Sequence, residues 1–177
     1  LSYHTDGFLK DSIHIADILA TLLGDGRSSR LYQSLIYDKQ IASSVGAFVD
    51  KREGSSLFTL YAIAADEDVS RETLRHALEK EIAEIQNELT HDREVLKAKN
   101  TIATQFANEL QTAHGIGDIL ASQTLFWNRP ERINEILGKY EQVTAAKIKE
   151  YAIETFKKEN SVCVGVVPRV RSEETID

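Results

Sequence analysis

The chain has 177 residues, of which 42% are hydrophobic and 28% are charged, as in an ordinary globular domain. This length suits a single soluble domain with one core, and no run of about 18 apolar residues indicates a membrane segment. The net charge of −7, with basic residues spread thinly, argues against nucleic acid as a partner, and no targeting segment that would indicate a compartment is recognisable.

The first predicted elements are a strand and two helices. Leu1 lies in what reads as the middle of a strand and the chain contains no methionine, which predicts a domain excised from a longer chain. Apolar residues at helical spacing over 11–23 predict the first helix, and Gly24 follows at its natural stop. The Ser28 hydroxyl is predicted to cap a second helix, which ends before Lys39.

A β-hairpin is predicted next. The residues over 42–49 alternate in polarity, as in a strand, and β-forming residues fill 56–64. The turn KREGS lies between these two segments. Because the second strand is apolar on both faces, it is predicted to be central in a sheet, with both of its faces covered.

Helices dominate the rest of the chain. Three are predicted to begin at the hydroxyl-bearing residues Ser70, Thr90 and Thr144, since such side chains satisfy the free N–H groups of a first helical turn. Two others are predicted over 117–127 and 132–139.

A closing strand is predicted over 161–167, followed by a tail, 169–177, that is predicted to be frayed. Cys163 lies in this apolar strand and is predicted to be a small core residue. Strands at the start, a block of helices and a returning strand predict an α+β fold. The expected architecture is a single domain over 1–177 with a mostly antiparallel sheet covered on one face by helices.

The stretch LLGDGRSSRLYQSLIYDKQIASSVGA, residues 22–47, is the most informative of the chain. It resembles the Leu-Gly-x-Gly-x-Ser-Ser-Arg-Leu-Tyr segment in the second domain of pitrilysin/insulinase-type zinc metallopeptidases, a family that includes the mitochondrial processing peptidases. LTHDREVLKAKN (89–100) and EQVTAAKIKEYAIETFKKENSVCVGVVP (141–168) are similar to later segments of the same domain. The resemblance therefore runs nearly end to end.

Members of this family cleave peptides with a zinc ion bound by the motif H-x-x-E-H, whose two histidines share one helical face while the glutamate acts as general base. The nearest approach here is His76, followed by Glu79 and by Lys80 where the second ligand belongs, and an ammonium group cannot bind zinc. The other histidines are isolated: His4, His14, His91 and His114. We expect no catalytic residue, no metal ligand and no cofactor in this domain.

The resemblance implies a supporting role instead. In the family, the zinc motif belongs to a preceding homologous domain of the same chain, so zinc is expected there. The second domain is expected to pack against that domain, to wall part of an enclosed chamber and to help enclose the peptide substrate. A homologous second subunit is expected as a further partner.

Two positions depart from the family pattern. Second domains often carry an Arg and, seven residues later, a Tyr that can reach across the chamber to hold the scissile carbonyl. The matching positions here are Ile36 and Ser43, and neither can supply a positive charge or a phenolic donor. Two explanations stay open: a partner supplies the missing pair, or the chain comes from a non-catalytic homologue.

The residues that match the motif are Gly24, Gly26, Ser28, Ser29, Arg30 and Tyr32. We expect structural roles for them. The two glycines are expected to permit a backbone angle, and Arg30 to cover apolar surface or to hold carbonyl groups at a helix end. Contact with substrate is the alternative for Arg30 and Tyr32.

Two other functions are alternatives. Glycines before a helix N-terminus, as in GDGRSS (24–29), can bind a phosphate or a nucleotide, but this stretch follows a helix and has neither the P-loop nor the dinucleotide spacing. The second alternative is a purely structural or interaction domain of an inactive homologue, since relatives in this family have become scaffold components of respiratory complexes.

Overall fold

The computed structural model describes residues 1–167 and shows a four-stranded antiparallel sheet with helices packed on one face. In the spatial order β2-β3-β1-β4, the strands are β1 (Ser2–Asp6), β2 (Ala42–Asp50), β3 (Ser55–Ala64) and β4 (Ser161–Val162). The helices are α1 (Ser12–Gly24), a π-helix (Tyr32–Asp38), α2 (Arg71–Asn87), α3 (Asp92–Glu109), α4 (Ala113–Trp127), a 3-10 helix (Pro130–Asn134), α5 (Ile136–Glu141), α6 (Ala145–Thr155) and a 3-10 turn (Lys158–Asn160). The predicted α+β class is confirmed, and the predicted tail, 169–177, lies outside the described residues.

Alternation along β3 decides which face of the sheet is buried. Phe58 and Leu60 are fully buried under the helices, whereas Tyr61 and Ile63 point to the other side and are 42% and 56% exposed. Phe48 on β2 lies opposite Thr59, on the same uncovered side, and is 49% exposed. The prediction that both faces of β3 are covered is therefore wrong, although its central position is confirmed. We call the uncovered side, with its exposed Phe48, Tyr61 and Ile63, the open face.

Helix α1 forms the centre of the core. Its Ile18, Leu19 and Leu23 are fully buried, and it packs on β2, β3, α3, α5 and α6. At its C-terminal end the backbone touches β2, because a Cβ added to Gly24 would lie 2.0 Å from the backbone nitrogen of Ala47. The helix ends at Gly24, as predicted, and no side chain fits there.

Local capping signals place two helices correctly. The Ser70 hydroxyl accepts a hydrogen bond from the Thr73 N–H at 3.1 Å, and the Thr144 hydroxyl accepts one from the Lys147 N–H at 3.3 Å. Helix α3, by contrast, begins after His91 rather than at Thr90. A capping box between His91 and Glu94 satisfies its first N–H groups.

The elements between α3 and α6 differ from their predicted bounds. Helix α4 begins four residues before Gly117, because the Thr112 hydroxyl accepts a hydrogen bond from the Gly115 N–H at 3.0 Å and so caps it. The helix predicted over 132–139 is instead a 3-10 helix followed by α5. Over residues 1–167, no helix combines the length and the apolar composition that crossing a bilayer requires.

The closing strand is much shorter than predicted. Only Ser161 and Val162 pair with β1, and residues 163–167 have no strand partner in the part of the chain that the structure describes. Cys163, predicted to be a core residue, is exposed for the same reason. An apolar run becomes core only where another element covers it.

We predict that Gly24→Ala lowers the free energy of unfolding by about 3 kcal/mol, because the new methyl group has to displace backbone atoms of β2. The matched control is Gly117→Ala, also on a helix, where an added Cβ meets nothing within 4 Å. That control should raise the free energy of unfolding by about 0.5–1 kcal/mol, since alanine favours a helix. Urea unfolding of both variants measures the difference, and equal values would contradict the close contact of α1 with β2.

Candidate functional site

The motif residues form a turn after α1 and lead into the π-helix. Gly26 has φ +77°, a backbone conformation that favours glycine. The predicted second helix is present, but the Ser28 hydroxyl does not cap it and instead accepts a hydrogen bond from Lys97 Nζ on α3. The turn is therefore attached to a helix that lies far away in the sequence.

Arg30 makes the strongest link between this turn and α3. Its Nε and Nη2 atoms donate hydrogen bonds to Oε1 and Oε2 of Glu94, both at 2.9 Å. Such a two-bond pairing of guanidinium and carboxylate is planar and geometrically specific. It raises the pKa of Arg30 and lowers the pKa of Glu94, so that both groups stay charged.

Glu94 also stabilises the start of α3. Its Oε2 atom accepts a hydrogen bond from the backbone N–H of His91 at 3.2 Å, as one half of the capping box. One carboxylate thus binds the motif turn and satisfies a free N–H group of a helix. The guanidinium of Arg30 is accordingly engaged within the domain, on a carboxylate and not on helix carbonyls.

The other motif residues lie in or against the core. Ser29 is 1% exposed, and its hydroxyl has no hydrogen-bond partner among residues 1–167. Tyr32 is half-buried on the π-helix, and Gly24 lies against β2. Leu31 and Leu35, on either side of Tyr32, are fully buried. The turn therefore fixes the path of the chain between α1 and the hairpin.

The two positions that depart from the family pattern lie on different elements. Ile36, on the π-helix, is half-buried and packs against the core. Ser43 lies where the register of β2 shifts against β3, and its hydroxyl donates a hydrogen bond to the carbonyl oxygen of Ala64 at 2.9 Å. At neither position does the chain present a cation or a phenol.

The nearest approach to H-x-x-E-H, residues 76–80, lies on the solvent side of α2. The His76 side chain is exposed, and its Nδ1 atom lies 3.5 Å from Oε2 of Glu79. Lys80 Nζ, at the position of the second ligand, lies 3.9 Å from the Glu84 carboxylate. Within residues 1–167, no three His, Cys, Asp or Glu side chains are grouped so that they could hold a metal ion.

The structure also brings together a polar cluster that the sequence did not suggest. Asp17 on α1 accepts hydrogen bonds from the Tyr140 hydroxyl at 2.6 Å and from Lys51 Nζ at 2.7 Å, in a cleft of about 230 Å³. Burial and the nearby carboxylate raise the pKa of Tyr140, and burial lowers the pKa of His14, whose ring lies 4.9 Å from that of Tyr140. Asp17 and Tyr140 are 123 positions apart, so no local sequence pattern indicates the cluster. With its carboxylate already bonded twice, the cluster holds α1, the hairpin and α5 together.

Comparison with known proteins identifies what this architecture is similar to. A family model described as the Peptidase M16 inactive domain matches residues 2–102. No curated protein sequence matches the chain.

Solved structures share the fold. A protease from Helicobacter pylori superposes with a TM-score of 0.80 at 20% identity, over 90% of this chain and 38% of its own. The inactive peptidase domain of a candidate zinc protease from Bordetella parapertussis gives 0.75 at 17%, over 90% of this chain and 85% of its own. A chain of complex III2 from Candida albicans, with Inz-5 bound, gives 0.74 at 19%, over 87% and 38%. The chain thus spans well under half of two of these relatives and most of the third.

We predict that Arg30 and Glu94 are energetically coupled by about 1 kcal/mol, because their pairing is bidentate and only partly exposed. A double-mutant cycle with Arg30→Met and Glu94→Gln measures this coupling by urea unfolding. The more exposed pair Asp50–Arg52, taken through the same cycle, should give a clearly smaller coupling, because solvent screens it.

The coupling should also depend on pH. Glu94 has a lowered pKa in the folded state, so its contribution is complete above the unfolded value of 4.5 and is lost as the pH falls through the folded pKa. Coupling that stayed constant down to about pH 3 would contradict the ion pair.

Proposed function

Because this chain belongs to the M16, or pitrilysin/insulinase-type, peptidase family as an inactive domain, we propose that it is the non-catalytic second domain of a zinc-dependent metalloendopeptidase. In this proposal a preceding homologous domain of the same chain holds the zinc ion. The present domain packs against it, walls part of the chamber and helps to enclose the peptide substrate.

The open face is the observation that supports this proposal. One side of the sheet is fully occupied by the domain's own helices, while the other exposes three large apolar side chains: Phe48, Tyr61 and Ile63. An exposed cluster of this kind is typical of a surface that contacts another polypeptide. A chamber wall needs two different faces. One face packs on the domain's own helices and stabilises the fold, and the other contacts the neighbouring domain or the peptide substrate.

The open face is also flat at its centre. Gly46 on β2 lies under the Tyr61 ring, since a Cβ added there would be 2.5 Å from a ring carbon. The glycine therefore lets the ring lie across the strand. An aromatic ring that lies flat on a strand can contact an extended peptide without selecting one sequence.

The division of chemistry follows from the residues present. A zinc ion bound by the preceding domain would polarise the scissile carbonyl and activate a water molecule. This domain presents no cation or phenol at Ile36 and Ser43, so help for the developing oxyanion has to come from a homologous second subunit.

The alternative is a purely structural domain of an inactive homologue. The similarity to a chain of complex III2 from Candida albicans favours it, because that structure is a multi-subunit complex that shares this fold. The two functions differ in one sequence feature. A catalytic parent has an intact H-x-x-E-H in the preceding domain, and an inactive homologue has a degraded one.

We predict that the reading frame upstream of Leu1 encodes a homologous domain of about 200 residues with an intact H-x-x-E-H motif. Sequencing this region is the direct measurement. A degraded motif would favour the structural alternative. As a control, the isolated domain should bind no stoichiometric zinc and cleave no peptide, and one tightly bound zinc per chain would contradict the proposal.

We also predict that Phe48→Asp in the complete parent protein lowers kcat/KM for a long peptide by about tenfold or more, because a charge on the open face disfavours contact with the partner or substrate. The matched control is Ile153→Asp on α6, since that side chain is similarly exposed (47% against 49%) but lies on a helix. Thermal unfolding verifies that both variants are folded. Equal kcat/KM values in the two variants would exclude a contact of the open face with the partner domain or the substrate.

A further inference from the structure

The side chain of Arg132 is mostly buried and yet lacks hydrogen-bond partners. It lies on the 3-10 helix after α4, and 22% of the side chain is exposed. Its Nε atom is buried without a partner, and its terminal nitrogens form no hydrogen bond with any of residues 1–167. The nearest carboxylate oxygen in this range, Oε2 of Glu135, lies 4.0 Å from Nη1, which is too long for a hydrogen bond. Buried polar groups are normally hydrogen-bonded, so this guanidinium lacks an acceptor.

The chain reversal after α4 places Arg132 over an aromatic ring. Asn128 ends the helix with φ +52°, a left-handed conformation that asparagine tolerates, and Pro130 begins the 3-10 helix. The central carbon of the Arg132 guanidinium lies 4.7 Å from the centre of the Trp127 ring. The Trp127 ring is in turn 5.5 Å from the Phe8 ring, edge to face. Stacking holds the guanidinium in place but satisfies none of its N–H donors.

These side chains line the cleft of about 230 Å³ that also contains Asp17. The apolar part of its lining includes Phe8, Ile119, Trp127 and Ile136. Pockets for drug-sized ligands have volumes of about 300–1,000 Å³, so this cleft has room for a smaller group, such as one apolar side chain.

Most of the other charges around the cleft neutralise each other. Three of the four carboxylates that line it are each bound by a cation: Asp17 by Lys51 at 2.7 Å, Asp11 by Lys139 at 3.1 Å and Glu135 by Arg129 at 2.9 Å. The fourth, Glu109, is exposed to solvent. Arg132 has only its distant contact with Glu135, and Lys10 has no carboxylate partner among residues 1–167. The cleft therefore has positive charge available for an anion.

We propose that this cleft binds a carboxylate attached to an apolar group, which is the chemistry of a peptide C-terminus with an apolar last residue and of a small organic acid. The Arg132 guanidinium donates hydrogen bonds to the carboxylate oxygens, because the two planar groups match in geometry. The apolar group packs against Phe8, Ile119 and Ile136. This site is independent of the proposed function, since the cleft lies among the helices and not on the open face.

Trp127 is the only tryptophan of the chain, so its fluorescence reports directly on the cleft. Titration with N-acetyl-leucine should change this fluorescence with a Kd of about 1 mM, the strength expected for a ligand of this size. The matched control is N-acetyl-leucinamide, which has the same apolar group but no carboxylate and should bind about tenfold more weakly or less. Equal binding of both compounds, or binding of neither, would overturn the proposal.

A substitution tests the role of the guanidinium. Arg132→Gln should weaken the binding of N-acetyl-leucine by about tenfold or more, because it removes the charge and most of the donors. The control with the same change of charge is Arg71→Gln on α2, whose side chain is 68% exposed and does not line the cleft. Unchanged binding in Arg132→Gln would contradict the proposal. If thermal unfolding shows that this variant is not folded, the comparison of acid and amide on the unaltered protein decides.

A short peptide distinguishes the two sources of the carboxylate. N-acetyl-Ala-Ala-Leu with a free C-terminus binds as tightly as N-acetyl-leucine if the cleft accepts the end of a peptide. Binding that is about tenfold weaker would assign the cleft to a small organic acid. In both cases the C-terminal amide of the same peptide should not bind, and binding of this amide would overturn the role of the carboxylate.

Discussion

Helix α1 and strand β2 approach until their backbones touch at Gly24 and Ala47, and the layers around α1 depend on this contact. The helix packs on two strands and on three other helices. Its distance from the sheet therefore determines the positions of those three helices. Close-packed interiors transmit a displacement instead of absorbing it. The motif turn also begins directly after Gly24, so the same contact positions the residues that reach α3.

The pairing of Arg30 with Glu94 gives a physical reason for two similarities that are far apart in the sequence. The first residue lies in the glycine-rich segment and the second in the segment over 89–100, and the two are 64 positions apart. Each segment needs the other, since Glu94 holds the turn and also caps α3. The motif is therefore a connection between elements, and its chemistry is that of a stable, fully charged ion pair.

The helices of the domain cover only one face of the sheet. The open face therefore exposes the large apolar side chains of Phe48, Tyr61 and Ile63. A domain with this arrangement is suited to work as part of a larger molecule.

The sequence by itself determined what local pattern controls. Alternation gave the hairpin, helical spacing gave α1 and α2, and the hydroxyls of Ser70 and Thr144 marked helix starts, because each of these depends on neighbours within a few residues. The motif residues over 24–32 were also recognisable as a group from the sequence.

Only the tertiary structure decided which apolar residues are covered and which charges meet. Cys163 lies in an apolar run that predicts a core residue, yet it is exposed. The Asp17 carboxylate accepts a hydrogen bond from Tyr140, which lies 123 positions later in the chain. Burial and long-range pairing depend on where distant elements pack, and that information is spread over the whole sequence rather than contained in any one segment.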